Sequence, residues 1–191
     1  EVDLHLQSLF GYLTAKGLED RTAVILTSDH GPAYPRGKKP LLTDSRVRVP
    51  LLIKHPHFKE QRKSCMINQG LDLGPTIAKI GGANMRTSAG RVVAPFGEFE
   101  GREHVISESV FLDKYKVAVR NTEHTFHLHC KYDIATNNIQ LDSVLATHLF
   151  QNTPFEALDC QSEQGKRVSQ QMMAIIRRHL DEHALAFRSF C

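Results

Sequence analysis

Apolar residues at Val2, Leu6, Leu9, Phe10 and Leu13 recur at helical spacing, and Gly17 follows where a left-handed residue can end a helix. The pattern predicts an amphipathic helix over residues 2–16. After a polar turn, LEDRT, the run Ala23-Val24-Ile25-Leu26 is short and continuous, the texture of a strand covered on both faces in a parallel sheet. A second such run, VPLLIKH, predicts a strand at 49–55, and the two are expected to be neighbours in one largely parallel sheet. LDLGPTIAKIGG reads as a short helix, with Pro75 tolerated in its first turn and Gly81-Gly82 ending it.

From residue 90 the texture changes. HVISES, YKVAVRN, HTFHLHC and NIQLDS alternate apolar and polar positions between polar turns, predicting an antiparallel sheet with one wet face. Asn137-Asn138 suits a tight turn before the last of them. Val168, Met172, Ile175, Ile176 and Leu180 then return to helical spacing, so residues 165–184 are expected to form a helix covering that sheet. The expected fold class is α/β over residues 1–90, followed by a smaller α+β subdomain over 91–191.

Composition narrows the partners. A chain of 191 residues can bury one good core or two small ones, and 41% apolar with 24% charged residues is ordinary for a globular protein. No run is long and apolar enough to cross a bilayer. A formal charge of +3, carried by scattered basic residues with no aromatic platform beside them, argues against nucleic acid. The opening Glu1-Val2-Asp3 holds neither a starting Met nor a signal-peptide core, so the chain is expected to be a piece of something longer. Cys65, Cys130, Cys160 and Cys191 contain no Cys-x-x-Cys pair, which argues against a zinc knuckle. Cys130 and Cys160 could bridge, although buried free thiols explain them equally well. None of the asparagines begins an Asn-x-Ser/Thr sequon.

The candidate chemistry lies in TAVILTSDHGPAYPRGKKPL, residues 22–41. Asp29 and His30 fall at the end of the first predicted strand, where open α/β sheets collect ligands. A carboxylate beside a neutral imidazole offers one hard and one borderline donor, a combination suited to a divalent metal that also holds a phosphate or sulfate oxygen. Gly31 lets the backbone turn away, and Arg36, Lys38 and Lys39 equip the loop to face an anion. Taken alone, an Asp-His dipeptide is explained better by a turn-capping carboxylate, a polar histidine and solvated lysines.

The wider pattern reverses that balance. TAVILTSDHG resembles the strand and metal loop of the sulfatase branch of the alkaline phosphatase superfamily, where an apolar strand leads into Thr-Ser-Asp, Asn or His, and Gly. GPAYPRGKKPLLTDSRVRVPLLIKHP is similar to the stretch that follows in sulfamidase-like members, with Pro-Arg-x-Lys, an acidic residue matched by Asp44, and Arg48-Val49-Pro50 opening the next strand. LDLGPTIAKIGG resembles the family's Asp-x-x-Pro-Thr helix, with Asp72 or Leu73 standing for the acid. HVISES, VAVRNTEHTFHL and HLFQNTPFEALD match the C-terminal subdomain more loosely. The resemblance is closest over residues 22–54.

It implies part of an alkaline-phosphatase-like sheet sandwich, followed by a small antiparallel sheet with a C-terminal helix. It also implies that Asp29 and His30 are metal ligands, with calcium the usual ion and manganese or zinc as alternatives. Lys38 would contact the sulfate and the leaving-group oxygen. Counting back from Arg48-Val49-Pro50 points instead to Lys39, so both stay open. Arg36 is a candidate substrate contact. The implied reaction is hydrolysis of a sulfate ester or sulfamate, the implied substrate a sulfated small molecule or glycan, and the implied compartment secreted, lysosomal or periplasmic. The family nucleophile sits in a Cys/Ser-x-Pro-x-Arg motif that no residue of this chain matches; Cys65, for example, is followed by Met66, Ile67 and Asn68. On the resemblance the chain is a C-terminal part whose N-terminal half supplies the nucleophile and further aspartate ligands, and the fragment alone is expected to be inactive. Phosphoryl transfer within the superfamily and a non-catalytic anion-binding remnant are the other readings.

Histidines elsewhere are weaker candidates. His55 and His57, in KHPHF, follow the second strand and could approach the mouth of the site as substrate contacts. His127 and His129 would share one face of a strand, where polar strand residues explain them better than a metal does. Charges such as Arg177, Arg178, Asp181 and Glu182 read as the solvated face of the last helix.

Overall fold

The computed structural model describes residues 1–32, 42–58, 69–85 and 89–188. These fall into two compact units, one built from residues 1–32 and 44–58, the other from residues 42–43 and from residue 69 onward.

The first unit opens with α1, Val2–Ala15. Its end is a Schellman turn: Gly17 has φ +63°, its N–H donates to Thr14 (3.0 Å), and the N–H of Leu18 donates to Leu13 (2.8 Å). A single 3-10 turn, Glu19–Arg21, leads into β1, Val24–Thr27. A four-residue helix, α2 (Asp44–Val47), precedes β2, Leu51–Lys54. Both predicted strands form and they are neighbours, but they pair antiparallel, with Val24 opposite Lys54 and Thr27 opposite Leu51. The expectation of a parallel pair is therefore corrected. A continuous apolar run reports what the environment of a strand should be and carries no information on its direction. Neither strand is buried among the described residues, and Leu51 and Leu52 are exposed. Lys54 ties the unit together, its ammonium 3.2 Å from Glu19 Oε1 and 4.9 Å from the centre of the Phe10 ring.

In the second unit α3, Leu73–Ile80, continues from a 3-10 turn and ends at Gly82, whose φ of +79° and N–H to Lys79 make a second Schellman turn. Five antiparallel strands follow in a meander: β3 Val105–Phe111, β4 Lys114–Arg120, β5 His124–Asp133, β6 Asn138–Asn152 and β7 Phe155–Leu158, hydrogen-bonded in that order. Asn137, at φ +52°, makes the expected turn into β6. The last helix, α4, spans Glu163–Arg188. Val168, Met172 and Ile176, one helical turn apart, meet Tyr115, Val117, Val119, Phe126, Leu128, Cys130 and Leu149 from alternate positions of β4, β5 and β6. The helix thus covers one face of the sheet, as the alternation predicts. Cys130 and Cys160 are both free thiols. Burial pushes the Cys130 thiol up to about 11. No helix among the described residues is long and apolar enough to cross a membrane.

Candidate metal and anion site

Thr27 closes β1 beside the start of β2, its hydroxyl donating to the Pro50 carbonyl (2.8 Å). Ser28, Asp29 and His30 leave the strand in a tight local network. Ser28 Oγ donates to the His30 carbonyl (2.7 Å), and the His30 N–H donates to Asp29 Oδ1 (2.8 Å). That amide and the neighbouring imidazole hold the Asp29 carboxyl below the usual carboxylate range. One oxygen of Asp29 is therefore committed to the backbone, and Oδ2 remains.

The histidine is oriented by the same logic. His30 Nδ1 lies 2.9 Å from the Gly31 carbonyl, which can only accept, so Nδ1 carries a proton and, in the neutral ring, the lone pair is on Nε2. Nε2 sits 3.5 Å from Asp29 Oδ2, and both side chains are more than half exposed. With a protonated ring the two groups form an ion pair; with a neutral ring they are two acceptors that a cation between them would join. Donors in adjacent positions around one divalent ion, each about 2.1–2.5 Å from it, are about 3.0–3.5 Å apart. The pair fits a metal on geometry and on donor chemistry.

Gly31 matters for a reason the sequence did not show. Its N–H donates to the Arg46 carbonyl (2.7 Å), and a Cβ at this position would lie 1.9 Å from the Ser45 carbonyl oxygen. The backbone of α2 is packed against the loop so closely that only glycine fits.

Arg36, Lys38 and Lys39 lie outside the described residues. His55 and His57 are described and lie elsewhere: because Lys54 pairs with Val24, the exit of β2 is beside the entry of β1, at the end of the ribbon opposite Asp29 and His30. The expected approach to the site mouth is corrected by the antiparallel pairing. These two rings contact each other instead, edge-on at 5.0 Å, and the His57 N–H donates to His55 Nδ1 (3.2 Å). Among the described residues no group of three or more His, Cys, Asp or Glu is placed to hold a metal. Asp29 and His30 offer two donor atoms, so a metal held there would need others.

A second polar cluster, in the other unit, is structural. Asp72 is 1% exposed; it accepts from the amides of Gln69 and Arg91 (2.9 Å each) and from the guanidinium of Arg102. Thr76 Oγ1 donates to the Asp72 carbonyl and accepts from the Val93 amide. Burial pushes the Asp72 carboxyl up, but the Arg102 hydrogen bonds and the two amides outweigh it and hold it below the usual range. Asp72 to Thr76 spells Asp-x-x-Pro-Thr, so Asp72, not Leu73, is the acid of that motif.

Residues 1–83, which include the Asp29–His30 loop and the Asp72 motif, match the family model described as Sulfatase. The N-acetylglucosamine-6-sulfatase of Bos taurus is 29% identical over 126 residues, 63% of this chain and 22% of that protein. The enzyme of the same name from Capra hircus is 36% identical over 87 residues, 42% of this chain and 15% of that protein. The multifunctional alkaline phosphatase superfamily protein PehA of Trinickia caryophylli is 35% identical over 105 residues, 50% of this chain and 20% of that protein. The chain spans about a fifth of the length of these relatives. Over residues 1–83 the chain is thus similar to the sulfatase family, and the relatives named above include sulfatases and an alkaline phosphatase superfamily protein.

Proposed function

We propose that the protein to which this chain belongs hydrolyses sulfate esters, with Asp29 and His30 as two ligands of a divalent metal, calcium by preference. The observation that carries the reading is the facing of Asp29 Oδ2 and His30 Nε2 across 3.5 Å, within sequence that matches the sulfatase family. When bound, such an ion acts as a Lewis acid on a sulfate oxygen. This chain's own contribution is to fix the donors. The His30 amide aims Asp29, the Gly31 carbonyl selects the tautomer of His30, and Gly31 lets α2 support the loop.

Lys38 or Lys39 supplies a cation for the sulfate and for the ester oxygen as the sulfur–oxygen bond breaks, an electrostatic contribution, and Arg36 contacts the substrate anion. The products are the free hydroxyl and inorganic sulfate. The nucleophile, formylglycine or an unmodified Ser or Cys, and the further metal ligands come from sequence outside this chain. The names of the relatives favour a sulfated amino sugar in a glycan as the substrate class.

The test is turnover of an aryl sulfate and of the matching aryl phosphate by the complete protein. Sulfate turnover is expected to exceed phosphate turnover and to fall at least 100-fold in either Lys38→Ala or Lys39→Ala. Preferred phosphate turnover would move the assignment to the phosphatase branch.

A further inference from the structure

The face of the five-stranded sheet turned away from α4 carries an arrangement that the fold does not explain. Tyr115, Val117, Val119, Phe126, Leu128 and Cys130 point to the helix, so the intervening residues of β4 and β5 point away from it. There Lys114 pairs directly opposite Lys131, and Lys116 opposite His129. Lys114 and Lys131 are exposed and Lys116 is half-buried. Like charges directly opposite across strands destabilise a sheet. Lysines do blunt sheet edges, but β4 and β5 are interior strands with neighbours on both sides.

None of the three lysines makes an ion pair among the described residues. The acids closest in sequence, Asp113 and Asp133, flank the two strands, and Asp133 accepts from the amides of Ala135 and Thr136. The positive field is felt locally: burial, then Lys116, His148 and Lys114, hold the His129 imidazole below its ordinary value. Along the same face Phe155, 60% exposed, lies flat on Phe150 with ring centres 5.0 Å apart. The lysines thus occupy one end of this face and the aromatic pair the other, with Ala118 and His127 buried between them.

We propose that this face is an accessory binding surface for a sulfated polysaccharide. Three lysines on adjacent strands match a chain of closely spaced anions, and the exposed Phe155 ring matches the apolar face of a sugar ring. The choice of a sulfated glycan among polyanions rests on the sulfatase reading above. Aryl sulfate turnover by the complete protein involves no polysaccharide, so the two ideas fail separately.

The experiment uses the 191-residue chain and heparin as the probe, with chemically desulfated heparin and single-stranded DNA of matched length as comparisons. The triple variant Lys114→Gln, Lys116→Gln, Lys131→Gln is set against Lys166→Gln, Arg167→Gln, Arg177→Gln, which removes the same charge from α4. Each surface lysine facing a polyanion contributes roughly fivefold at low salt, so the first variant is expected to bind heparin on the order of 100-fold more weakly. The second should change binding less than threefold, and desulfated heparin and DNA should bind wild type far more weakly than heparin.

Two further readings keep the result from resting on a misfolded variant. The first triple variant should melt no lower than wild type, because like-charge repulsion has been removed, and heparin should raise the titration midpoint of His129 in wild type. Equal losses in the two variants, DNA binding as tight as heparin binding, or the absence of heparin binding would each overturn the proposal.

Discussion

The two units of this chain are built to different degrees of completeness. In the second, ten buried side chains from three strands and one helix close a core around Val117, Leu128 and Ile176, each fully buried. In the first, Leu13 alone is buried among the described residues, while Val2, Leu4, Leu9, Tyr12, Leu51 and Leu52 are exposed. One unit holds its own shape by burial; the other is a ribbon, a helix and a loop whose apolar surfaces ask for further structure. The candidate chemistry sits on the less complete unit. A site at Asp29 and His30 would therefore be only as rigid as what packs around it.

The sharpest way to break that comparison is a matched pair of truncations. Ile176→Ala should lower unfolding free energy by about 2–5 kcal/mol, since it opens a cavity in a closed core. Leu52→Ala should change it by about 0.5 kcal/mol or less, because its side chain is already exposed. Urea unfolding of both variants decides it, and equal losses would mean that the first unit also has a core of its own.

Next in size is Asp72→Asn, which leaves Arg102 without its buried partner and should cost about 3 kcal/mol. The same residue predicts a pH dependence. Its folded pKa lies below the ordinary value of 3.8, so its stabilising contribution is fully present above about pH 4 and is lost as pH falls through the folded value. Wild type should lose stability on acidification below pH 4, and Asp72→Asn should lose less. Parallel acid melts of the two proteins would contradict this role.

A smaller effect on stability, but a larger one on function, is expected from Gly31→Ala. The added methyl must displace the Ser45 carbonyl, moving α2 away from the Asp29–His30 loop. Thermal melting of the chain should shift little, because the first unit contributes little to its cooperative core. Aryl sulfate turnover by the complete protein should fall at least tenfold. Unchanged turnover would show that the loop does not need α2 behind it.

How much of this was legible in the sequence follows from what periodicity encodes. α1, α3, α4 and the alternating strands were readable because each repeats with the period of its own geometry. The direction of β2 was not, and with it went the placement of His55 and His57. β6 was read only as far as Ser143, whereas it runs to Asn152. Cys130 pairs with Val144 while Lys131 pairs with Gln140, so extra residues on β6 break the two-residue period there. β7 and α2, four residues each, are too short to show any period. In the site, Asp29 and His30 were visible as a motif. The buried hub at Asp72 was half visible, since counting alone left Leu73 as its rival. The need for glycine at 31 was not visible, because it comes from the backbone of a segment fourteen residues away.

The central question is whether Asp29 and His30 hold one metal ion together. Calorimetric titration of calcium into the complete protein, wild type against Asp29→Ala and His30→Ala, tests this most directly. Each substitution is expected to weaken binding at least 100-fold, and the isolated chain, with two donors, to bind far more weakly than the complete protein. Calcium affinity unchanged in both variants would contradict the account.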